Sequence, residues 1–448
     1  MNNLLSTLAA ISPIDGRYHQ QTKVLSTYFS EFALIKYRLK IEIEYFIFLS
    51  KIKISPKFSG LQIKLLRNIY LEFDIQEATK IKNIEILTKH DVKAIEYYLR
   101  NELKNKSFSK FLEWIHFGIT SNDINDNAYR LMILDSLKNC LIPSIDSIRK
   151  ELKSIAIKYK YSPILGRTHG QPAIPTTFGK EIAVFLVRLN KELEKLRKIK
   201  LYGKFSGAIG NWNALYFAYP QENWSKLSTK FLSNLGLNHS YPATQSAPSE
   251  DIVETFQILS RMNSIFIDLN QDMWRYISDN WVVQKGKLRN VGSSTMPQKI
   301  NPIEFENSEG NLILANGIFE TLSRKLPISR LQRDLSDSTV LRNIGVTFAH
   351  CLIGYKSLVK GLESIELNKQ EITNCLNANW AILTEALQTI LRKEGVSCGY
   401  EKVAKLVKEK VFKQDHWIKF VKSFEISDEN KNKLINLTPE TYIGHIET

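Results

Sequence analysis

The sequence predicts an all-α protein organised around a central bundle of long helices. Three observations lead there. Apolar residues recur three and four apart through long segments at 179–200, 250–280, 304–325 and 339–362, which is the period of a helix with one apolar face. Irregular stretches rich in glycine, proline and hydroxyl side chains separate these segments, as loops at helix ends do. No convincing series of parallel-sheet strands, internal repeat, low-complexity tract or Gly-rich nucleotide loop interrupts the pattern. A chain of 448 residues has room for two or three domains. Changes of pattern suggest three: a mainly helical N-terminal domain over 1–110, the long-helix bundle over 111–362 and a small helical domain over 363–448.

Composition narrows the functional class. A content of 43% hydrophobic and 24% charged residues suits a folded, soluble protein. The first 14 residues have no basic start and only a short apolar run, and no stretch is apolar for the length of a membrane span, so a cytoplasmic protein is expected. Cys140, Cys351, Cys375 and Cys398 lack paired metal or redox spacing and read as reduced thiols. A net charge of +15 admits nucleic acid, a membrane surface or a small anionic substrate. Lysines at 191–200 and 402–413 alternate with apolar residues and glutamates, the pattern of a solvated helix face, and no nucleic-acid motif accompanies them. Composition alone does not choose among these partners, and the plainest reading of the excess charge is a solvated helix face.

Taken in order, the chain opens with a turn, Ser12-Pro13-Ile14-Asp15-Gly16-Arg17-Tyr18. Its Asp-Gly reverses the backbone and leaves Arg17 beside Tyr18, a pairing suited to phosphate or carboxylate; the alternative is a surface arginine. Helical periodicity runs over 26–51 and resumes over 61–73 after Ser55-Pro56. Thr88 is placed to cap a helix whose first turn carries His90 and Asp91. Free N–H groups there favour an anion, and the competing reading is a histidine satisfied by Asp91. His116, between Ile115 and Phe117, reads as a core histidine. Thr120-Ser121-Asn122-Asp123 opens the next helix, either as a simple cap at Ser121 or Asn122 or as a ligand-binding turn. Helical sequence follows over 125–156.

In Gly166-Arg167-Thr168-His169-Gly170-Gln171-Pro172 the histidine sits on a turn-rich segment rather than on an apolar helix face, which favours function. The helix at 179–200 carries Ile182, Phe185, Leu186, Leu189, Leu193 and Leu196 as one stripe. Irregular segments at 201–219 and 241–248 follow, the second containing Gln245. The run 329–342 offers Arg330, Arg333 and Arg342 with several hydroxyls at a helix start, the best anion site by composition; its alternative is a set of Arg–Asp pairs capping helix ends.

The segment 292–302, Gly-Ser-Ser-Thr-Met-Pro-Gln-Lys-Ile-Asn-Pro, is too polar and too broken for core. Ser293 and Ser294 are candidate proton-transfer groups, Lys299 is a fixed cation, and Gln298 and Asn301 are amide donors. Such a loop can bind an anion and do chemistry beside it.

Three ordered blocks are shared with a known superfamily. Residues 292–301 fit Gly-Ser-x-x-Met-x-x-Lys-x-Asn, and Thr168-His169-Gly170-Gln171-Pro172 and Thr120-Ser121-x-Asp123 fit two further blocks of the fumarase/aspartase superfamily. Asp15-Gly16-Arg17-Tyr18, His90-Asp91 and the run 332–342 make the chain resemble, over essentially its whole length, the adenylosuccinate lyase family in its longer bacterial type. The resemblance implies a three-domain helical subunit, assembled as a homotetramer whose active sites are built by loops from three subunits. It further implies β-elimination of fumarate from adenylosuccinate, giving AMP, and from succinylaminoimidazole carboxamide ribotide, giving the carboxamide ribotide, with no cofactor and no metal.

Matching positions make Ser293 the general base, with Ser294 the rival, and His169 the general acid. They assign Arg17, Tyr18, Ser338 and Arg342 to the phosphate and ribose end. His90, Asp91, Thr120 and Ser121 fall to the substrate's charged groups, and Gln245, Lys299, Asn301 and Arg333 to the succinyl moiety. The chain departs from the family at Gln298, commonly histidine; at Lys89, often asparagine; and at Ser249-Glu250, in place of His-Asp. These departures bear on substrate contacts more than on activity. Argininosuccinate lyase, aspartase and fumarase are the nearest alternatives; they would share Ser293, His169 and Lys299 but need no phosphate site.

Overall fold

The computed structural model describes residues 7–104, 106–285, 296, 299–407 and 412–447. The described residues are mostly helical, with three two-stranded ladders. They gather into two compact units: Met1–Ile145 with Glu192–Ser264 and Gly310–Lys356, and Asp146–Lys191 with Ile265–Glu309 and Ser357–Thr448.

In the first unit the expected apolar periods become α1 (Glu31–Lys51), α2 (Gly60–Leu71), α3 (Ile75–Thr88) and α4 (Asp91–Leu103). Each begins at a side-chain cap: Ser30, Ser59 and Asp74 accept backbone N–H groups of α1, α2 and α3. Their apolar faces close one core containing Leu39, Phe46, Leu66, Ile95 and Phe108, each 2% exposed or less. Burial of such a side chain contributes about 1.5–3 kcal/mol.

The cap of α4 is not Thr88, which ends α3. Lys89 takes a left-handed conformation (φ 56°) and stops α3, so His90 becomes the N-cap, its Nδ1 accepting from Lys93 N at 3.2 Å. Likewise α5 (Ser121–Ser136) is capped not at Ser121 or Asn122 but at Thr120, whose N–H donates to Asp123 Oδ2 at 2.8 Å. The helical run predicted at 125–156 is interrupted by a π-turn, Leu137–Leu141, before α6 (Ile142–Lys158). Pro143 has no N–H for the preceding turn, and the wider loop absorbs that gap.

The glycine- and proline-rich stretch around His169 is a hairpin rather than an irregular loop. β1 (Pro163–Thr168) pairs antiparallel with β2 (Gln171–Thr177), and Thr168 opposite Gln171 leaves a two-residue turn. A ladder of two strands is all edge, so Pro172 and Pro175 are tolerated in it. Beyond it come α7 (Phe178–Arg197), β3 (Tyr202–Gly203), α8 (Trp224–Leu235) and β4 (Asn238–His239), with β3 and β4 parallel.

Next are the 29-residue α9 (Glu250–Ser278), β5 (Val282–Gln284) and α10 (Ile303–Lys325). The helix expected over 339–362 is broken into α11 (Ser336–Leu341) and α12 (Ile344–Glu363). Asn343 explains the break: its Nδ2 donates to Thr339 O at 3.2 Å and its N–H to Val340 O at 3.0 Å, so the side chain takes the carbonyl a continuing helix would use. In the second unit β6 (Ile365–Leu367) pairs with β5. The chain closes with α13 (Lys369–Asn377), α14 (Thr384–Lys393), α15 (Gly399–Val407), α16 (Gln414–Lys422) and α17 (Asp428–Ile435). Leu387, Leu391, Trp417 and Val421 form a core there. No described helix is long and apolar enough to cross a membrane.

Helix α5 is buried although Asn122, Asp123, Asp126, Asn127 and Arg130 lie on it. Asp123 meets Lys204 at 2.9 Å, both side chains 0% exposed, and accepts from Ser206 N at 2.9 Å and Gly207 N at 3.1 Å. Burial pushes the Asp126 carboxyl up to about 6; Asp337 adds to this, while Arg130, Ala247 N–H and Lys204 oppose it. A carboxyl raised above its unfolded value of roughly 3.9 loses fold stability as it ionises. That loss develops between roughly pH 4 and about 6 and persists above. Asp126→Asn, which keeps an acceptor oxygen without the charge, is therefore expected to gain stability over wild type at pH 7.5 relative to pH 4. The gain is at most about 3 kcal/mol, read as a difference in thermal unfolding at the two pH values.

Candidate active site

Within the first unit the predicted residues lie on the N-terminal turn, the start of α4, the start of α5 and the segments 241–250 and 329–342. Asp91, first residue of α4, accepts from Arg38 Nη2 at 2.6 Å, and Arg38 Nε donates to Asn125 Oδ1 of α5 at 2.7 Å. Arg342 Nη2 stands 4.0 Å from the same Asp91 oxygen, while its Nη1 donates to Glu31 Oε2 at 2.8 Å. His90, Asp91 and Arg342 are thus neighbours, His90 Nδ1 lying 3.7 Å from Asp91 Oδ1. Burial pushes the Asp91 carboxyl up, yet the Arg38 guanidinium, the Val92 N–H and His90 outweigh it and hold the group below its usual value.

Arg38 is 2% exposed and was not singled out from the sequence. A signal existed: Arg38 and Glu42 are the charges four apart inside the otherwise apolar face of α1, and both are buried. Glu42 Oε1 lies 2.5 Å from His116 Nδ1. Burial opposes the charged imidazole, but Glu42 raises His116 above its usual value overall. His116 is accordingly a paired structural histidine.

Thr120 and Ser121 are half-buried at the head of α5. Gln245 is tied in twice: its N–H donates to Gln332 O at 3.2 Å, and its Nε2 to Ala208 O at 3.0 Å. The first bond brings the arginine-rich run alongside. There Arg333 Nη2 is 3.8 Å from Asp337, and Ser338 N–H donates to Asp337 Oδ1 at 2.6 Å. Asp334 accepts from the Ser336 hydroxyl, from Ser336 N at 2.8 Å and from Arg330 N at 3.0 Å, and these bonds, the hydroxyl's first, pull it well below its usual value. The acid-capping reading of the run is therefore present in the structure, and Arg342 keeps a side chain 44% exposed.

The N-terminal turn is closed by Tyr18 N–H donating to Pro13 O at 2.8 Å and by Thr22 Oγ1 donating to Ile14 O at 2.8 Å. Arg17 is exposed and Tyr18 half-buried. Asp15, His19 and Arg342 line one hollow of about 180 Å³, which puts this turn beside Arg342.

The second unit holds His169, the one proton-transfer candidate among the described residues. His169 (φ 53°) and Gly170 (φ 73°) are the two central residues of the hairpin turn, the left-handed pair that a type I′ turn requires. This carries an exposed His169 at the tip. Arg167 braces the hairpin: its guanidinium lies over Trp281 at 5.3 Å, its Nε is 3.8 Å from Asp279, and its Nη1 donates to Gly170 O at 3.5 Å. Lys299 is exposed, with its N–H donating to Met296 O at 3.0 Å, and Asn301 is half-buried ahead of α10. Gly292, Ser293, Ser294 and Gln298 lie outside the described residues. Among the described residues no three His, Cys, Asp or Glu side chains group as metal ligands.

Comparison with known proteins agrees along the full chain. A family model described as Lyase matches residues 16–317, and one described as Adenylosuccinate lyase C-terminal matches residues 329–443. The chain is 46% identical over 459 residues to the adenylosuccinate lyase of Dictyostelium discoideum (99% of this chain, 98% of that protein). It is 45% identical over 444 residues to that of Buchnera aphidicola subsp. Acyrthosiphon pisum strain APS (98% and 97%). With that of Escherichia coli K12 it shares 40% over 448 residues (99% and 98%). Among solved structures it shares its fold with a fumarate lyase from Mesorhizobium sp. BNC1 at TM-score 0.76 and 19% identity, covering 94% of this chain and 95% of that one. It does so too with the 3-carboxy-cis,cis-muconate lactonizing enzyme of Pseudomonas putida, at TM-score 0.74 and 19% identity, covering 94% of each. The chain belongs to the adenylosuccinate lyase family, enzymes of the fumarase/aspartase superfamily.

Proposed function

We propose that this enzyme eliminates fumarate from adenylosuccinate, releasing AMP, and from succinylaminoimidazole carboxamide ribotide, releasing the carboxamide ribotide. The observation that carries this reading is identity of 40–46% with adenylosuccinate lyases over nearly the whole chain, in a sequence that retains His169, Ser293 and Lys299.

Ser293 removes the carbon-bound proton beside a succinyl carboxylate. The electron pair spreads into that carboxylate as an aci-carboxylate, for which Lys299 and Asn301 supply cation and amide. As the carbon–carbon double bond forms, the carbon–nitrogen bond breaks, and His169 protonates the departing nitrogen. Serine is a poor base and needs water excluded and its alkoxide stabilised. An imidazole suits the acid role at neutral pH, and the I′ turn, with Arg167 over Trp281 beside it, supports that role by presenting the ring at the exposed tip of the hairpin. Arg17, Tyr18, Ser338 and Arg342 take the phosphate and ribose; His90, Asp91, Thr120 and Ser121 the charged groups; Gln245 and Arg333 the succinyl end. The reaction needs no cofactor or metal.

The same reading makes the protein a cytoplasmic homotetramer of three-domain subunits with sites shared between subunits. Apolar side chains left uncovered on single-chain helices support the assembly: Val187 of α7 is 53% exposed, and Ile313 and Leu314 of α10 are 52% and 56% exposed.

Fumarate release from adenylosuccinate tests the reaction, and a wild type that releases none sinks it. His169→Ala and Ser293→Ala are each expected to lower kcat/KM by about 10²- to 10⁴-fold. Because the two act in one transition state, the double variant should fall little below the worse single one. Undiminished release by Ser293→Ala transfers the base role to Ser294, which Ser294→Ala then checks.

Inhibition by the products tests the phosphate end. Arg342→Ala should weaken inhibition by AMP by about tenfold to a hundredfold, the range of one charge-assisted hydrogen bond, and leave inhibition by fumarate unchanged. Equal weakening of both would remove Arg342 from the phosphate.

A further inference from the structure

Three buried side chains four residues apart on α5 grip successive residues of the segment after Gln245. Asn122 Nδ2 donates to Ser246 Oγ at 2.6 Å. Asp126 Oδ2 accepts from Ala247 N at 2.7 Å. Arg130 Nη2 donates to Pro248 O at 2.7 Å, and its Nε and Nη2 reach both oxygens of Asp251 at 2.9 and 3.0 Å. All three are at most 7% exposed. Spacing of four places them in one row along a helix, and the row meets residues 246, 247 and 248 in the same chain order. At one end of the row are Thr120 and Ser121; at the other end of the first rung, one residue before Ser246, is Gln245.

We infer that Asn122, Asp126 and Arg130 are positioning residues that hold Gln245 at a set distance from Thr120 and Ser121, and so determine how tightly the succinyl end of the substrate is held. This rests on the assignment of Gln245 to that end. The backbone of the gripped segment carries no regular secondary structure between Ser240 and Ser249, and without the rungs nothing in α5 would hold its register. A cavity of about 450 Å³ lies alongside, lined by Asp126, Tyr129, Arg130, Asp337 and Glu250. The segment borders open space on that side, and the two bonds of Gln245 itself, to Gln332 O and Ala208 O, run to segments other than α5. The Tyr129 hydroxyl, buried with no hydrogen-bond partner among the described residues, does not substitute for a rung.

The test is steady-state kinetics of fumarate release, with thermal unfolding as a check on folding. Ser246→Ala removes the first rung from the loop side and should raise the KM for adenylosuccinate about three- to tenfold. Asp126→Ala, which leaves Ala247 N–H unpaired, should raise it about tenfold or more. In both variants kcat stays within about threefold of wild type, because binding of ground and transition state is lost together. Asp126→Asn retains an acceptor and should restore KM to within about twofold at pH 7.5.

On a Gln245→Ala background neither substitution should raise KM further, because the residue being positioned is gone. Independent, additive effects on that background overturn the inference, as does an unchanged KM with lowered thermal stability. Should Asp126→Ala fail to fold, Ser246→Ala, on a half-buried loop residue, decides alone. A wild type that releases no fumarate fails the functional reading itself, whereas an active wild type with unaffected variants fails only the ladder.

Discussion

Helix α5 cannot be buried unless every charge and amide on it finds a partner, and that demand organises the first unit. An isolated buried charge is prohibitively unfavourable. On one row Asn122, Asp126 and Arg130 take the segment 246–251; on the next, Asp123 takes Lys204 and the N–H groups of Ser206 and Gly207, and Asn127 Nδ2 donates to Lys204 O at 2.8 Å. Two loops are thereby attached to a single helix. Glycine makes the approach possible: a Cβ on Gly203 would stand 2.0 Å from Asn127 Oδ1, and one on Gly210 1.8 Å from Ala243 O. This pairing contributes to the placement of Thr120, Ser121 and Gln245 alongside the apolar side chains buried in the same loops, such as Phe205 and Ala247.

A second buried pair works from α1. Arg38 ties the head of α4 to α5 through Asp91 and Asn125, and Glu42, one turn on, ties the chain before α5 through His116. His116 is left-handed (φ 57°), and Gly118 (φ 68°) leaves room for Leu215, whose Cδ2 would lie 2.3 Å from any Cβ there. Strained backbone of this kind costs on the order of 1–3 kcal/mol per residue and persists only where surroundings over-determine it. Here the surroundings are the carboxylate of Glu42 and Tyr45 Oη, which donates to Phe117 O at 2.9 Å. The strain is placed immediately before Thr120, where the chain must turn into α5.

Helices were legible in the sequence because their apolar period is local. The same holds for the loops that interrupt them, whose Gly, Pro and hydroxyl content is local too. Caps were less so: at Thr88-Lys89-His90 a hydroxyl was the obvious cap, but the left-handed Lys89 moved the start by two residues and gave the role to an imidazole nitrogen. The His169 hairpin was hidden by its prolines, which an isolated two-stranded ladder accepts and a larger sheet would not. The α5 row was illegible for a different reason. Polar residues at 122, 126 and 130 have the spacing of a solvated helix face, and their partners lie 118 to 124 positions away. The polar segment 292–302 and the three shared blocks pointed to the chemistry without revealing what holds it in place.

The arrangement around Arg342 bears on how an anionic substrate would be received. Arg342 shares Glu31 with Lys82, at 2.8 and 3.2 Å, and stands at the edge of an Asp91 carboxylate already held by Arg38 at 2.6 Å. A phosphate drawing Arg342 away would leave Glu31 with Lys82 and Asp91 with Arg38, so no carboxylate in the cluster is stranded. Removing Arg38 instead would leave Asp91 without its principal counter-charge, a loss that for buried pairs is about 3–5 kcal/mol. The two arginines therefore differ in kind: Arg38, 2% exposed, is part of the scaffold, whereas Arg342, with a 44% exposed side chain, is a cation that can exchange partners. An exchangeable arginine against a scaffold that stays neutralised is what a phosphate-binding end needs if product is to leave as readily as substrate enters.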